Sequence, residues 1–430
     1  MTSNTVDTVD TTASLPVDDL HVVEPRAAGL DVHKMCITAA VRLYEVGTGV
    51  ARAVVKEFSA LPHGLRAMTD WLLAHGVTAA AMEGTGVYWK APFEALEDAG
   101  IRAELFHAEH VKQIRGKKTD VNDSLWLARI CQFGLAQPSF VPPRRFRHLR
   151  QLTRYRRKLV GERSRNRNRV HKTLDHDGLR VGGVLSDIFG LNGRRILDGV
   201  LAGDPTHVIL AGLTNHVRTK LEPLAQVLAA ALDPTALVLL KMQVAALDRT
   251  DTALAALDTH IRGELADHER PLRLLQTIPG IDFGSACIIL AELGPNLEAF
   301  REARHLGAWA GVAPGNNTSA GKRRSGRARR GNPTLRATLA ECAHGAVRTK
   351  SSQFYDYHRA HVGRLGYKRA ILATAHKLLR VIHAVLRDDR PYTDPGIDYQ
   401  RLVVERHAPR WLRMLRQYGF VEEAQAAARS

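Results

Sequence analysis

Four acidic residues in this chain are spaced so that they could handle phosphoryl groups. Asp31 lies inside an apolar β-type run, in Gly29-Leu30-Asp31-Val32-His33-Lys34. A carboxylate there needs a reason, because burying an unpaired charge is costly. Glu83 directly follows the short apolar run 79–82, and Asp120 and Asp123 open a helix expected over 124–133. Residues three apart on a helix share a face. Taken singly, each acid has a plain structural reading: Asp120 or Asn122 would cap the helix, and Glu83 would end a strand in solvent. Together, carboxylates on a first strand, at the end of a later strand and on a following helix can converge at one edge of a sheet. Four such acids repel unless cations neutralise them. Two magnesium ions about 3.5–4 Å apart would do so, and would stabilise both oxygens of an in-line phosphoryl displacement.

A second candidate is Ser319, in Gly311-Val312-Ala313-Pro314-Gly315-Asn316-Asn317-Thr318-Ser319-Ala320-Gly321-Lys322, followed by Arg323, Arg324, Arg327, Arg329 and Arg330. Small residues allow close backbone approach, and arginines hold phosphate. A serine hydroxyl attacking DNA phosphorus would form a phosphoserine link and split the transfer into two easier steps. On residue chemistry alone the segment reads as a flexible basic DNA-contact loop, since no general base is visible beside Ser319.

The elements that would position these residues follow from the hydrophobic pattern. From about Arg26 to Gln137, β-type runs at 27–40 and 51–58 lead into a helical stripe at 65–74. A buried strand at 79–82, a helix at 88–99 stopped by Gly100 and a strand at 103–106 follow. Strands first and then β–α alternation predict an α/β sheet domain. Pro138–Pro143 punctuates the chain. A basic helical stretch comes next, with Arg144, Arg145, Arg147, Arg150, Arg154, Arg156, Arg157, Lys158, Arg163, Arg165, Arg167, Arg169 and Lys172 opposed only by Glu162. Such a run would repel itself strongly, which favours polyanion contact over a merely solvated face. Tyr155 and Phe146 are too few for a base-stacking platform. Leu240, Leu247, Leu254 and Ile261 recur every seven residues, as in one strand of a coiled coil or a long helical hairpin. A mainly helical region follows from about Pro271. Within it Thr277-Ile278-Pro279-Gly280-Ile281 reads equally as a phosphate-presenting helix-hairpin-helix turn or as a turn between packed helices.

Composition bounds the partners. The 430 residues carry a formal net charge of +17, which favours a polyanion: nucleic acid or an anionic membrane surface. No apolar run approaches the ~20 residues that span a bilayer, and residues 1–25 read as a disordered lead rather than a signal peptide. Cys36, Cys131, Cys287 and Cys342 are scattered without a CxxC pair. That argues against a disulfide framework or a zinc site and fits a reducing cytoplasm; the expected location is the bacterial cytoplasm, in association with the nucleoid.

The segments around Asp31, Glu83 (Glu83-Gly84-Thr85-Gly86-Val87-Tyr88-Trp89) and Asp120–Asp123 (Gly116-Lys117-Lys118-Thr119-Asp120-Val121-Asn122-Asp123) resemble the DEDD signature of insertion-sequence-110-type transposases, which are related to Piv-type invertases. The resemblance implies an RNase H-like (RuvC-like) domain at 26–140, with Asp31, Glu83, Asp120 and Asp123 as the metal-binding tetrad for magnesium. Thr85, Tyr88, Lys118 and Thr119 match supporting positions, and Gly84 stands where members often have serine. The segment around Gly321-Lys322 resembles the family's C-terminal motif, which puts the nucleophilic serine on Ser319, with Thr318 and Ser325 as the competing positions. Lys322, Arg323, Arg324, Arg327, Arg329 and Arg330 would then contact nucleic acid. Residues 141–270 become a basic helical or coiled-coil linker and 271–390 the C-terminal transposase domain, with a tail at 391–430. The implied partners are donor and target DNA, a structured bridge RNA and further copies of the chain, as a dimer or tetramer. Two other readings remain: a junction-resolving nuclease using the tetrad alone, and a non-catalytic nucleic-acid-binding regulator.

Overall fold

The computed structural model describes residues 13–15, 20–45, 51–84, 86–107, 111, 123–230, 232–294, 297–315, 317–319, 322–326, 328 and 330–420. The chain divides into two compact units, 1–144 and 145–430.

The first unit is a mixed sheet. Strand β2 (Arg26–Val32) turns back into β3 (Cys36–Tyr44), and β4 (Ala51–Ser59) continues the antiparallel meander. The β-type run expected over 27–40 is therefore two strands, split at Lys34-Met35, because apolar content continues across the turn. Helix α1 (Pro62–Ala74) crosses over to β5 (Ala79–Glu83), which pairs parallel to β2. Helix α2 (Lys90–Asp98) then leads to β6 (Arg102–Phe106), parallel to β5. Within the segment read as a disordered lead, Ala13–Leu15 forms a strand, β1, on the open edge of β4. Unpaired backbone on a sheet edge is a ready template for such an added strand. The strand order is β1-β4-β3-β2-β5-β6.

Strand alternation sorts the two faces. Leu30, Met82, Met68, Leu72, Phe93 and Leu96 form the core on the α1–α2 side. The other face presents Ala27, Ala79 and Ala81 to helix α3 (Asp123–Phe133), which contributes Leu127, Ile130 and Cys131. Gly29 lies on this second face, where a Cβ would come within 2.0 Å of the Ser124 carbonyl oxygen and 2.3 Å of the Ala128 nitrogen. The helix backbone thus rests directly on the strand.

In the second unit, helix α4 (Arg144–His176) is followed by α5 (Val181–Val184), α6 (Leu191–Ala202), α7 (Thr206–Ala211) and α8 (Leu221–Leu228). Their apolar residues close over Val170, Leu174, Leu240 and Val244. Helix α9 (Pro234–Glu264) then runs back along α4. Arg145 pairs with Asp267, Arg156 with Asp258 and Arg163 with Asp251, and Thr173 donates to Gln243. Partner numbers fall as the α4 numbers rise, so the two helices are antiparallel. The heptad residues Leu240, Leu247, Leu254 and Ile261 are buried within the chain, in the hairpin form of the two arrangements the spacing allows. Helices α10 (Glu269–Gln276), α11 (Phe283–Leu293), α12 (Ala303–Trp309), α13 (Pro333–Ala346), α14 (Gln353–Leu365), α15 (Tyr367–Asp388) and α16 (Tyr399–Gln417) complete the unit. No helix among the described residues is long and apolar enough to cross a membrane.

Gly29→Ala should overpack the strand–helix contact and cost about 1–3 kcal/mol. A lower urea midpoint at unchanged slope would show it; an unchanged midpoint would mean that α3 does not rest on Gly29.

Candidate active site and its supporting network

The parallel register of β2 and β5 ends with Leu30 opposite Met82. The next residues on the two strands are Asp31 and Glu83. Adjacent strands lie about 4.8 Å apart, so both acids stand side by side at one end of the sheet. Both belong to the alternation set of Ala27, Gly29, Ala79 and Ala81, on the face that carries α3. Asp123 is the first residue of α3, and Ser124 beside it touches Gly29. Three acids from separate segments are therefore gathered at one corner by strand register and one glycine. Asp120, together with Thr85, Lys118 and Thr119, lies outside the described residues. Among the described residues no group of three His, Cys, Asp or Glu side chains closes into a ligand shell.

Two neighbours of this corner were not singled out by sequence reasoning. The His33 ring nitrogen Nε2 lies 3.1 Å from Asp31 Oδ2. Glu57 shares the cross-strand row of Asp31 through Thr38. The period of two along a strand was the available signal for His33; Glu57 is visible only once strand register is known.

The serine segment forms a hairpin, β7 (Asn317–Ser319) and β8 (Lys322–Ser325), with Ser319 opposite Lys322 at its tip and Thr318 opposite Arg323. Ser325 pairs with Asn317 at the open end. Gly321, Arg327 and Arg329 lie outside the described residues, and Arg330 is exposed. The two ends of the segment are clamped together. A Cβ on Gly331 would lie 2.4 Å from the Gly311 nitrogen, and Asn332 N–H donates to the Trp309 carbonyl. Asn332 also caps α13, its Oδ1 accepting from the Thr334 and Leu335 N–H groups. Its Nδ2 donates to Glu292 Oε2 at 2.7 Å.

Glu292, on the mostly apolar helix α11, is 0% exposed. Arg154 donates to it bidentately at 2.7 and 2.9 Å, and Arg150 lies 3.1 Å from Oε2 while also donating to the Glu292 and Ala291 carbonyls. Burial pushes the Arg150 guanidinium down to about 10; Glu292 opposes this, and Arg154 and Arg147 add to it. The group is still charged at neutral pH.

The basic helix thus differs from its sequence reading as a run opposed only by Glu162. Acids distant in sequence meet its inward side: Arg145 pairs with Asp267, Arg156 with Asp258, Arg157 with Glu341 and Arg163 with Asp251. Arg144 pairs with Asp98, Arg147 is buried, and Arg167 lies over the Phe189 ring. Lys158, Arg165, Arg169 and Lys172 are exposed and fall on one helical stripe. The turn 277–281 is a packing device: Gly280 has φ +84°, and a Cβ there would lie 2.2 Å from the Cys342 carbonyl oxygen. Asp282 already caps the following helix by accepting from Ser285 N–H. Burial pushes the thiols of Cys287 and Cys342 up, to about 12 and about 11, which fits packing rather than reactivity.

Glu292→Gln leaves the largely buried Arg150 and the half-exposed Arg154 facing a neutral group; the buried pair lost with Arg150 should cost about 3–5 kcal/mol. Glu341→Gln removes only an exposed partner of Arg157 and should cost less than about 1 kcal/mol. Equal denaturant midpoints for the two variants would refute a central role for Glu292.

Comparison with known proteins agrees with this geometry at the level of family. Residues 28–176 match a family model for DEDD transposases of the IS110 type, described as a transposase. Residues 272–359 match a second one, described as the transposase IS116/IS110/IS902 family. A protein named probable family 20 transposase, from Pseudomonas aeruginosa, is 27% identical over 331 residues, covering 74% of this chain and 86% of its own length. The two matched regions hold the acidic corner and the serine hairpin respectively: the chain belongs to the IS110 family of transposases.

Proposed function

We propose that this transposase excises and inserts its element by magnesium-dependent strand exchange through a serine–DNA covalent intermediate, with a bridge RNA choosing the sites. The observation that carries the acidic half is the side-by-side placement of Asp31 and Glu83 at the ends of adjacent parallel strands, beside the start of the Asp123 helix. The strand order, three antiparallel strands followed by two parallel ones, is what an RNase H-like domain would require. Carboxylate oxygens are the hard donors that magnesium prefers, and Asp31, Glu83, Asp123 and Asp120 would hold it. Bound there, magnesium would neutralise charge developing on the phosphoryl oxygens. His33 orients the Asp31 carboxylate, and the strand ends leave it open to solvent, with 30% of the side chain exposed.

Ser319 would act as nucleophile. Its Oγ would form a bond to phosphorus, the bond from phosphorus to the sugar oxygen would break, and the serine proton would end on that leaving oxygen as a free hydroxyl. Reversal with a different strand's hydroxyl completes exchange without external energy. Lys322 opposite Ser319 on the hairpin, with Arg323, Arg324 and Arg330 beyond, supplies positive charge for the strand. The stripe of Lys158, Arg165, Arg169 and Lys172 supplies backbone contact for RNA or DNA read by its phosphates. The serine of one subunit would meet the acidic corner of another in an assembled dimer or tetramer.

Ser319→Ala and Asp31→Ala should each abolish recombination of a donor–target pair while nucleic-acid binding persists. Full activity in the Ser319 variant would sink the nucleophile assignment. Denaturing gels should show a covalent protein–DNA adduct in the parent that is absent from Ser319→Ala. A junction-resolving nuclease that used water alone would cleave and leave no adduct in either.

A further inference from the structure

Helices α13 and α15 enclose a groove of about 400 Å³ that the chemistry above does not use. It begins at Pro333, the residue after the Asn332 cap, and reaches His344, a span of about 16 Å at ~1.5 Å per residue. Ala340 and Ile371 give it an apolar floor, and Arg336 and Lys368 line it without any carboxylate among the lining residues. Tyr367 is 53% exposed, yet it is held from two sides. Its hydroxyl lies 3.1 Å from His344 Nδ1, and the His358 ring meets it edge-on at 5.4 Å.

We infer that this groove takes an unpaired segment of the DNA strand being exchanged, with a base stacked on Tyr367 and phosphates at Arg336 and Lys368. An aromatic platform beside cations is the chemistry that binds single strands without sequence preference. The volume suits one nucleotide and not a duplex, whose base faces are already covered by stacking. The cationic lining selects a polyanion over an apolar peptide. DNA is the occupant because the groove starts where the serine hairpin closes, so the identity of the strand rests on the serine reading.

The test uses the full-length Ser319→Ala protein, so that binding is read without turnover, and a thymidine oligonucleotide carrying 2-aminopurine at alternate positions. The probe's emission should be quenched on binding. Tyr367→Ala should restore the emission and weaken binding about tenfold, within the range for loss of one stacked base, while Tyr367→Phe keeps both signals. Because the ring is half exposed, neither change threatens folding. Arg336→Gln and Lys368→Gln should each reduce the salt dependence of binding by roughly 0.7 in log–log slope. Unchanged quenching in Tyr367→Ala overturns the site. Equal competition by a uridine RNA strand or a DNA duplex overturns the assignment to a DNA strand. A missing covalent adduct in the parent protein would instead fault the serine chemistry and leave these binding results standing.

Discussion

The buried carboxylate of Glu292 organises the second unit of this transposase. A charge with no exposure to water is tolerated only when its oxygens are fully hydrogen-bonded and a counter-charge is near. Arg150 and Arg154 come from the basic helix and Asn332 from the end of the serine hairpin. One acid therefore brings together three parts of the chain that lie far apart in sequence. Breaking any of these bonds leaves an unmatched polar group in an apolar interior, so the arrangement is held as a whole. The serine motif is carried on the rim of this network, with its base fixed by Gly311 against Gly331 and by the Asn332 cap.

The acidic corner is built by a different device. Helix α3 lies on a sheet face made of Ala27, Gly29, Ala79 and Ala81, where the absence of side-chain bulk lets backbone meet backbone. That close approach brings the start of the helix to the strand ends where Asp31 and Glu83 stand. A rigid sheet edge and a helix terminus hold carboxylates with little freedom, which is what phosphoryl transfer asks of its positioning groups.

The two devices differ in what they hold. In the first unit the framework is mostly apolar, apart from the buried Arg42–Gln132 pair, and the acids of the corner stand at its edge. In the second, charge is part of the framework, and several arginines of the long helix are spent on internal pairs. The local run of bases over 144–172 therefore overstates the positive surface offered by that helix. Lys158, Arg165, Arg169 and Lys172 remain on an exposed stripe.

Much was legible in the sequence because it rests on local periodicity and short motifs. The strands at 79–82 and 103–106, the helix stopped by Gly100, the helix at 124–133 and the family itself all come from patterns within a few residues. The run 27–40 misled because an apolar stretch does not reveal a two-residue turn inside it. Tertiary structure alone decided the rest. It set Glu83 beside Asp31 through strand register, gave Gly29 its purpose, folded the heptad helix back on its own chain and supplied distant acids to the arginines of α4. Each of these depends on which residues meet across long separations, and no local pattern encodes that. Residue types along the chain specify which charges must be compensated; only the packed fold determines which partner compensates them.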